Sequence, residues 1–425
     1  MTPPETQRAV HAVFRIESAR LVACLTRMVR DVGLAEELAH DALVAALEEW
    51  PRSGVPERPG AWLMATAKHR AIDLLRRRER LERKREELAR ELEAKEEAGA
   101  EAAERAADEE VGDDLLRLVF VACHPILSPE ARVALTLRLL GGLSTAEIAR
   151  AFLVPEATVA QRIVRAKRTL AEEGVPFEVP RGPELEARLS SVLEVIYLVF
   201  NEGYAATAGD DWTRPELCEE ALRLGRVLAE LLPGEPEVHG LVALMEIQAS
   251  RLRARVGPGG EPVLLLAQDR SRWDPLLIQR GLEALARAEA LSPPAGSYSL
   301  QAAIAACHAR ARAPEETDWA RIAALYDALG SVAPSPVVDL NRAVAVGMAS
   351  GPAAGLALVE ALRAEPSLAS YHLLPSVRGD LLAKLGRLSE AREEFERAAS
   401  LAGNARERDL LLARAGACAR GAKPS

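Results

Sequence analysis

The chain has 425 residues, of which 49% are hydrophobic, 28% are charged and only 4% are aromatic, and its formal net charge is −9. Alanine, leucine, arginine and glutamate dominate, a mixture that favours helices over strands. Five scattered cysteines without a CxxC pair indicate neither a disulfide framework nor a structural zinc site. The absence of a signal pattern or a long apolar run predicts a cytoplasmic protein with no membrane span.

The charge is unevenly distributed along the chain. Residues 1–80 carry about +2 and residues 115–181 about +3, whereas residues 81–114 carry about −8 and the remainder about −6. The acidic excess therefore lies outside the two basic segments. The negative net charge does not exclude nucleic acid as a partner of those two segments.

Residues 1–80 are predicted to form a small helical domain. Two stretches with apolar residues at helical spacing, "AVFRIESARLVACLTRMV" and "GLAEELAHDALVAALEEW", precede a loop, "RSGVPERPG". The third helix, "AWLMATAKHRAIDLLRRRER", begins with Trp62 and ends very basic. A protein that binds single-stranded or melting DNA needs an aromatic residue for stacking beside a basic helix. The structural alternative is a solvated helix end, where arginine favours the helix dipole.

Residues 81–114 have almost no large apolar side chains. Their first half can extend the preceding helix, and their second half lacks the apolar surface to fold alone. We expect an acidic linker between two domains.

Residues 115–181 are predicted to form a second helical domain. Ser128, followed by a proline, is a helix start, and Ser144 with Glu147 three residues on forms a capping box. Pro155 opens the next helix. One face of that helix carries four apolar residues, at Val159, Ile163, Ala166 and Leu170.

Two short helices joined by a tight turn, over residues 143–170, are typical of a helix-turn-helix that reads duplex DNA. Gln161 is suited to an adenine edge, and Arg162 or Arg165 to a guanine or a phosphate. Thr158 lies near the helix start, where backbone amides and a hydroxyl hold phosphates. An ordinary helical hairpin with a solvated basic face is the alternative, and Leu153 stands in the turn where glycine is common.

From residue 182 to the end, helical patterns alternate with proline and glycine turns. Residues 382–404 have the small residues of a tetratricopeptide unit, and residues 340–366 look like a degraded copy. Two polar-aromatic clusters, "NEGY" (201–204) and "DRSRWD" (269–274), suggest either docking or helix capping with buried salt bridges. The residues singled out for docking are Glu202, Tyr204, Arg272 and Trp273.

The pair Cys123–His124 is a weak candidate for a ligand or redox site, and a cysteine buried for packing is the favoured interpretation. The sequence contains no HExxH or GxSxG motif and no supported pair of nucleophile and base. We therefore expect neither an enzyme nor a metal or cofactor.

The two basic segments, in this order and across an acidic linker, resemble domains two and four of bacterial RNA polymerase sigma factors of the extracytoplasmic-function group. The family's tryptophan-led helix, which runs to an aspartate and a basic cluster, matches Trp62, Lys68, Asp73, Arg76 and Arg77. His69 stands where many members have asparagine. "AEELAHDALVAAL" resembles the family's polymerase-clamp-binding helix, with Asp41 at its typical acidic position.

The stretches "ACHPILSPEARVALTLRLLGGLSTAEIARAFLVPEATVAQRIVRAKR", "YLVFNEGYAAT" and "DRSRWD" resemble the subgroup with a C-terminal tetratricopeptide-like extension. The resemblance implies an all-α chain: domain two (1–80), an acidic linker (81–114), domain four (115–181) and a helical extension (182–425).

Core RNA polymerase and promoter DNA are the partners that the resemblance implies. It assigns the minus-ten element to Trp62, Lys68, His69, Arg70, Arg76 and Arg77, the minus-35 element to Thr158, Gln161, Arg162, Arg165 and Arg168, and the polymerase to Glu37, His40 and Asp41. We further expect the extension to contact the sigma domains and to regulate them. The alternatives are a helix-turn-helix regulator with a helical sensor domain, which leaves the helix at 62–80 unexplained, and a helical-repeat scaffold.

Overall fold

The computed structural model describes residues 3–87, 107–206, 209–291 and 295–421, without the side chains of residues 3–8, 11, 15, 78–87 and 107–111. The described chain is all-α, as predicted, and its only β features are two isolated bridges. The first eight α-helices are α1 (Pro3–Val29), α2 (Val32–Ser53), α3 (Pro59–Glu87), α4 (Ala107–Ala122), α5 (Pro129–Leu139), α6 (Thr145–Phe152), α7 (Glu156–Glu172) and α8 (Pro183–Tyr204).

Ten further α-helices follow in the described part of the chain. They are α9 (Pro215–Leu231), α10 (Pro236–Ala249), α11 (Pro275–Leu291), α12 (Ser297–Arg310), α13 (Trp319–Val332), α14 (Pro336–Ser350), α15 (Pro352–Leu362), α16 (Leu373–Lys384), α17 (Leu388–Leu401) and α18 (Ala405–Ala419). None of the helices in the described ranges is both long and apolar enough to cross a membrane.

The chain divides into two compact units, unit 1 (Met1–Val195) and unit 2 (Ile196–Ser425). Helix α8 runs through the division, so its first half belongs to unit 1. In unit 1, the α8 side chain of Ser191 donates to the carbonyl of Cys123 at 2.7 Å, and Arg188 donates to that of Phe120 at 3.0 Å. The predicted domain bounds remain a prediction.

Helices α1, α2 and α3 pack together in the first half of unit 1. Asp31 caps α2 by accepting from the backbone N–H of Leu34 at 2.9 Å, which satisfies one of the free donors of the first turn. Helix α2 continues through Pro51 to Ser53, so the loop predicted at 52–60 is shorter. Gly54, with φ of 87°, ends the helix in a conformation that favours glycine.

Helices α4 to α7 form the second half of unit 1. The predicted cap at Ser128 and the capping box of Ser144 and Glu147 are both confirmed. Leu153 takes the left-handed conformation, with φ of 51° and ψ of 42°, at the turn where glycine is the common residue. The apolar face predicted for α7 is also confirmed, since its buried residues are Val159, Ile163, Ala166 and Leu170.

The segment predicted as an acidic linker, 81–114, is described only at its two ends. Residues 81–87 continue α3, as the first half was expected to do, and residues 107–114 belong to α4. Residues 88–106 lie outside the described residues. The described residues at the acidic end of the segment are thus helical, and Asp114 is buried there.

Unit 2 is built from successive helical pairs, among which α14–α15, α16–α17 and α17–α18 pack closely. In the unit predicted at 382–404, Ala391, Phe395 and Ala398 are fully buried. In the predicted copy, α14 and α15 cross where a Cβ on Gly355 would lie only 2.8 Å from the Cα of Gly347. Small residues at these positions let paired helices approach closely. The tetratricopeptide likeness itself remains a prediction.

Candidate nucleic-acid and polymerase interface

Helix α7 presents a polar face to solvent opposite its buried face. Gln161, Arg165 and Arg168 are exposed, and Thr158 and Arg162 are half-buried. An exposed amide and two exposed guanidinium groups on one helix are the groups needed for base edges and phosphates. The apolar Val164 lies on the same side with 64% of its surface exposed, so this face is also able to contact a thymine methyl.

Two of these cations are close to carboxylates within unit 1. Arg168 donates through Nε to Glu172 at 2.6 Å, one turn further along α7. The carboxyl of Glu130 has a lowered pKa, chiefly because of hydrogen bonds from its own backbone and from Ser128, with a smaller effect of the Arg162 charge. Exposed ion pairs of this kind contribute little stabilising free energy, so neither contact prevents the arginines from binding a phosphate.

Helix α3 begins beside a pair of tryptophans. Trp62 is half-buried and meets the buried ring of Trp50 edge to face, with ring centroids 5.4 Å apart. This contact fixes the indole of Trp62 at the start of the helix while leaving part of it accessible. The exposed polar residues of α3 that the resemblance assigns to the minus-ten element are Lys68, His69, Arg76 and Arg77.

Helices α2 and α3 are joined by the pair of Asp41 and Arg70, whose charged atoms lie 3.4 Å apart with both side chains largely exposed. The structure therefore brings together one residue assigned to the polymerase and one assigned to the minus-ten element. Glu37 is exposed on α2 as well. The third residue assigned to the polymerase, His40, is differently placed.

His40 takes part in a contact between the two halves of unit 1. Its Nε2 lies 3.0 Å from Nη2 of Arg138 on α5, and its Nδ1 lies 2.8 Å from the carbonyl of Glu36. Because a guanidinium has only donors, the imidazole accepts at Nε2 and donates at Nδ1. The ring of His40 also meets Phe14 edge to face at 5.4 Å.

Glu36 is the centre of this contact, which we call the Glu36 cluster (Glu36, His40, Arg138 and Lys167). The Glu36 side chain is 8% exposed and accepts from Nε of Arg138 at 2.6 Å and from Nζ of Lys167 on α7. Burial raises the pKa of the Glu36 carboxyl, but the charges and hydrogen bonds of Lys167 and Arg138 outweigh burial and hold it below its ordinary value of 4.5. The carboxylate is therefore ionised at neutral pH and links α2 to α5 and α7.

A second ion pair links α1 to α4. Asp114 is buried and accepts from Arg27 at 2.8 Å and from Arg117 at 2.7 Å. Beside these contacts lies a cavity of about 260 Å³, bordered by residues of the α1–α2 turn and by the end of α7, including Asp31, Lys167 and Phe177. The contacts between the two halves thus include charged pairs beside an open cavity.

The residues of the Glu36 cluster other than His40 were not identified from the sequence. The spacing of Glu36 on α2 was one available signal. Glu36 lies four residues after Val32 and three before Ala39, which places it on the same face as these two buried apolar residues. An acidic residue on an apolar face predicts a buried partner. Its partners were not predictable, since they lie 102 and 131 residues further along the chain.

The four residues proposed for docking in the extension have different environments in unit 2. Glu202 is buried and pairs with Arg214, whereas Arg272 is exposed. The ring of Tyr204 lies 3.8 Å from the guanidinium carbon of Arg255, and Trp273 is buried.

The aspartates of "DRSRWD" act as helix caps. Asp269 accepts from the backbone of Ser271, and Asp274 from that of Leu276, each at 2.9 Å. Capping and buried ion pairing were the alternative to docking at these clusters, and the docking role remains a prediction.

Cys123 and His124 are placed for packing. Cys123 is buried, and burial raises the pKa of its thiol to about 11, so the reactive thiolate is suppressed at neutral pH. His124 accepts at Nδ1 from the backbone of Ile126 at 3.2 Å. The described residues contain no group of three or more His, Cys, Asp or Glu side chains placed to hold a metal ion.

Comparison with known families gives three matches in chain order. Residues 13–81 match sigma-70 region 2, residues 117–170 match sigma-70 region 4, and residues 188–289 match a family of unknown function. The first two segments coincide with the helices that carry the exposed basic faces.

Among curated proteins, the chain is similar to an uncharacterised protein of Rhizobium meliloti (strain 1021). The two are 46% identical over 387 residues, which cover 91% of this chain and 90% of that protein. No solved structure matches the chain significantly.

Proposed function

Because the chain belongs to the sigma-70 family, with regions 2 and 4 in that order, we propose that it is a sigma factor of the extracytoplasmic-function group. In this role it binds core RNA polymerase in the cytoplasm, directs it to promoters and opens the DNA there. The polymerase carries out the bond chemistry. The observation that carries the proposal is the pair of basic helices, α3 and α7, each presenting exposed cations within one unit.

Helix α7 reads the minus-35 duplex. Its buried face holds it against α5 and α6, so Gln161 and Arg165 are presented on a rigid element. Gln161 pairs with an adenine edge, and Arg165 with a guanine or a phosphate. Arg162 and Arg168 contact phosphates, and Thr158 holds one near the helix start.

Helix α3 and the loop before it read and open the minus-ten element. Trp62, held by Trp50, offers an aromatic surface for an unstacked base, and Lys68, His69, Arg70, Arg76 and Arg77 meet the strand. The acidic segment between the two regions occupies polymerase channels that otherwise carry nucleic acid. The net charge of −9 is therefore compatible with promoter binding, because the polymerase supplies most phosphate contacts.

Helix α2 binds the polymerase clamp through Glu37, His40 and Asp41. Since His40 is bonded to Arg138 and its neighbour Glu36 to Arg138 and Lys167, the same helix holds region 4 against region 2. The free protein is then a closed form, and binding of α2 to the polymerase competes with the Glu36 cluster. Regions 2 and 4 separate when the polymerase is bound, so that each reaches its own promoter element.

The C-terminal extension regulates these steps. Its helical pairs are of the kind that bind partners, and we propose that it contacts the sigma domains directly. Its charge of about −6 is modest and would be screened at physiological salt, so docking requires specific contacts rather than charge alone.

The test is initiation in vitro from a library of upstream regions, with core polymerase in the presence and absence of the full chain. The proposal predicts discrete start sites that require both components. If the chain neither associates with core polymerase nor starts transcripts, it is not a sigma factor. Binding to promoter DNA without polymerase and without initiation would instead indicate a helix-turn-helix regulator.

A further inference from the structure

Unit 2 contains a cavity of about 660 Å³, a size within the range of small-molecule sites. Its walls come from helices α8, α10, α12, α13 and α14. Four of the five tyrosines of the chain line it, at Tyr197, Tyr298, Tyr326 and Tyr371. Four side-chain amides join them, at Asn201, Gln248, Gln301 and Asn341. Neither polar-aromatic cluster singled out in the sequence, at 201–204 and 269–274, includes these tyrosines.

Several of these polar groups are already fixed by the fold. The hydroxyl of Tyr197 donates to Gln301 at 3.2 Å, and Gln301 donates in turn to the carbonyl of Ser297 at 3.2 Å. The rings of Tyr197 and Tyr298 meet edge to face at 5.5 Å. Burial raises the pKa of the Tyr326 phenol to about 12, so this hydroxyl is protonated and able to donate. The cavity is thus a largely preorganised set of hydrogen-bonding groups.

Arg251 supplies the only permanent charge among the described residues that line the cavity, which include no Asp, Glu or Lys. Arg251 is buried, with only 8% of its residue surface exposed. The guanidinium lies 5.8 Å from the ring of Tyr204 and 5.7 Å from that of Trp273. Within the described residues it forms no ion pair, and its Nε has no hydrogen-bond partner. A buried cation without a counter-charge is costly, which indicates an anionic partner.

A second buried group in the cavity lacks a partner. His308 is 7% exposed, and its Nδ1 has no hydrogen-bond partner. Burial, and then the charges of Arg251 and Arg270, lower the pKa of its imidazole to about 4. The ring is therefore neutral at pH 7 and able to donate or accept one hydrogen bond. It adds a polar contact without adding a second charge.

We propose that this cavity is a binding site for a small organic anion with a hydroxyl-rich body, whose carboxylate or phosphate group pairs with Arg251. The phenols and amides bind its hydroxyl groups, and His308 adds one further hydrogen bond. This inference does not rest on the proposed function, because the site lies within unit 2 and binding is measured directly.

The test is calorimetric titration of the full chain with four probes: gluconate, glucose 6-phosphate, inorganic phosphate and glucose. Gluconate represents a carboxylate head and glucose 6-phosphate a phosphate head on a similar body. We expect at least one of these two to bind, and glucose and inorganic phosphate to bind at least about tenfold more weakly. If neither organic anion binds, or if glucose binds equally well, the proposed ligand class is wrong.

Substitutions assign any binding to the cavity. Arg251→Gln is expected to weaken binding of the organic anion by at least about tenfold, while the matched control Arg253→Gln, at an exposed position two residues on, leaves it unchanged. Asn341→Asp tests the same site at an exposed position, because it adds a carboxylate to the wall with little change of shape. It should weaken binding of the organic anion, so the proposal stays testable if Arg251→Gln does not fold. Unchanged binding in the folded variants would show that Arg251 serves only to pack against its aromatic neighbours.

Discussion

Replacing Glu36 with glutamine tests whether the Glu36 cluster holds regions 2 and 4 together. The glutamine keeps the shape of the side chain and removes its charge. Hydrogen bonds to charged groups contribute about 1.5–3 kcal/mol each and neutral ones about 1 kcal/mol, so the two bonds from Arg138 and Lys167 together lose about 1–4 kcal/mol. Both cations keep 21% of their side-chain surface exposed, and this access to water reduces the expected loss to about 1–3 kcal/mol.

Hydrogen exchange of the full chain, followed peptide by peptide, measures this loss where it occurs. Amides of α5 and α7 that are protected by the closed form should exchange about 5 to 150 times faster in Glu36→Gln. Glu37→Gln is the matched control, because Glu37 is the next residue on α2 and is exposed. Unchanged exchange of α5 and α7 in Glu36→Gln would refute the role assigned to the cluster.

The pH dependence of the contact follows from the lowered pKa of Glu36. A carboxyl whose pKa is lower in the closed form than in the open form stabilises the closed form when it is ionised. That stabilisation is fully present above the ordinary value of 4.5 and is lost as the pH falls through the lowered pKa. We therefore expect the difference in exchange between wild type and Glu36→Gln to shrink as the pH falls below that range, and a constant difference would contradict the assignment.

The remaining predictions concern DNA readout, polymerase binding and the packing of the extension. Gln161→Ala should cost about 1–3 kcal/mol at one minus-35 position only, whereas Arg168→Ala should weaken all promoters alike and flatten their salt dependence; equal effects of both changes on every promoter would contradict these roles. Lys167→Met should strengthen association with core polymerase, measured by fluorescence anisotropy, because it loosens the closed form from the α7 side; weaker or unchanged association would contradict competition at α2. Gly203→Ala should destabilise the chain by about 1–3 kcal/mol and lower its melting temperature, since the added Cβ would lie 2.7 Å from the backbone nitrogen of Cys218, whereas Gly234→Ala, with open space around it, should have little effect; equal melting temperatures would rule out this close approach.

The close approach at Gly203 also gives a structural reason for part of the "NEGY" cluster. Helix α8 passes so near the start of α9 that only glycine fits there, and the carbonyl of Gly203 accepts from the backbone of Arg214 at 2.7 Å. Glu202 pairs with the side chain of the same arginine. The glycine of the cluster was visible in the sequence, but the helix against which it packs was not.

The local features of unit 1 were determined by the sequence itself. The caps at Ser128 and Ser144 and the buried face of α7 depend on residues within one or two turns of a helix, and all of these were predicted correctly. The all-α fold and the two sigma-70 regions followed from the same kind of information, because helix propensity, apolar spacing and family motifs are read along the chain.

The tertiary structure decided which distant residues meet. Glu36 reaches cations more than 100 residues away, and the cavity in unit 2 collects tyrosines from positions 197 to 371. Nothing in the local pattern distinguishes Arg251, which is buried and forms no ion pair with any residue that the structure describes, from Arg253, which is exposed two residues later. Burial and charge pairing depend on how helices pack, so these contacts, and the two functional inferences built on them, became visible only once the chain was folded.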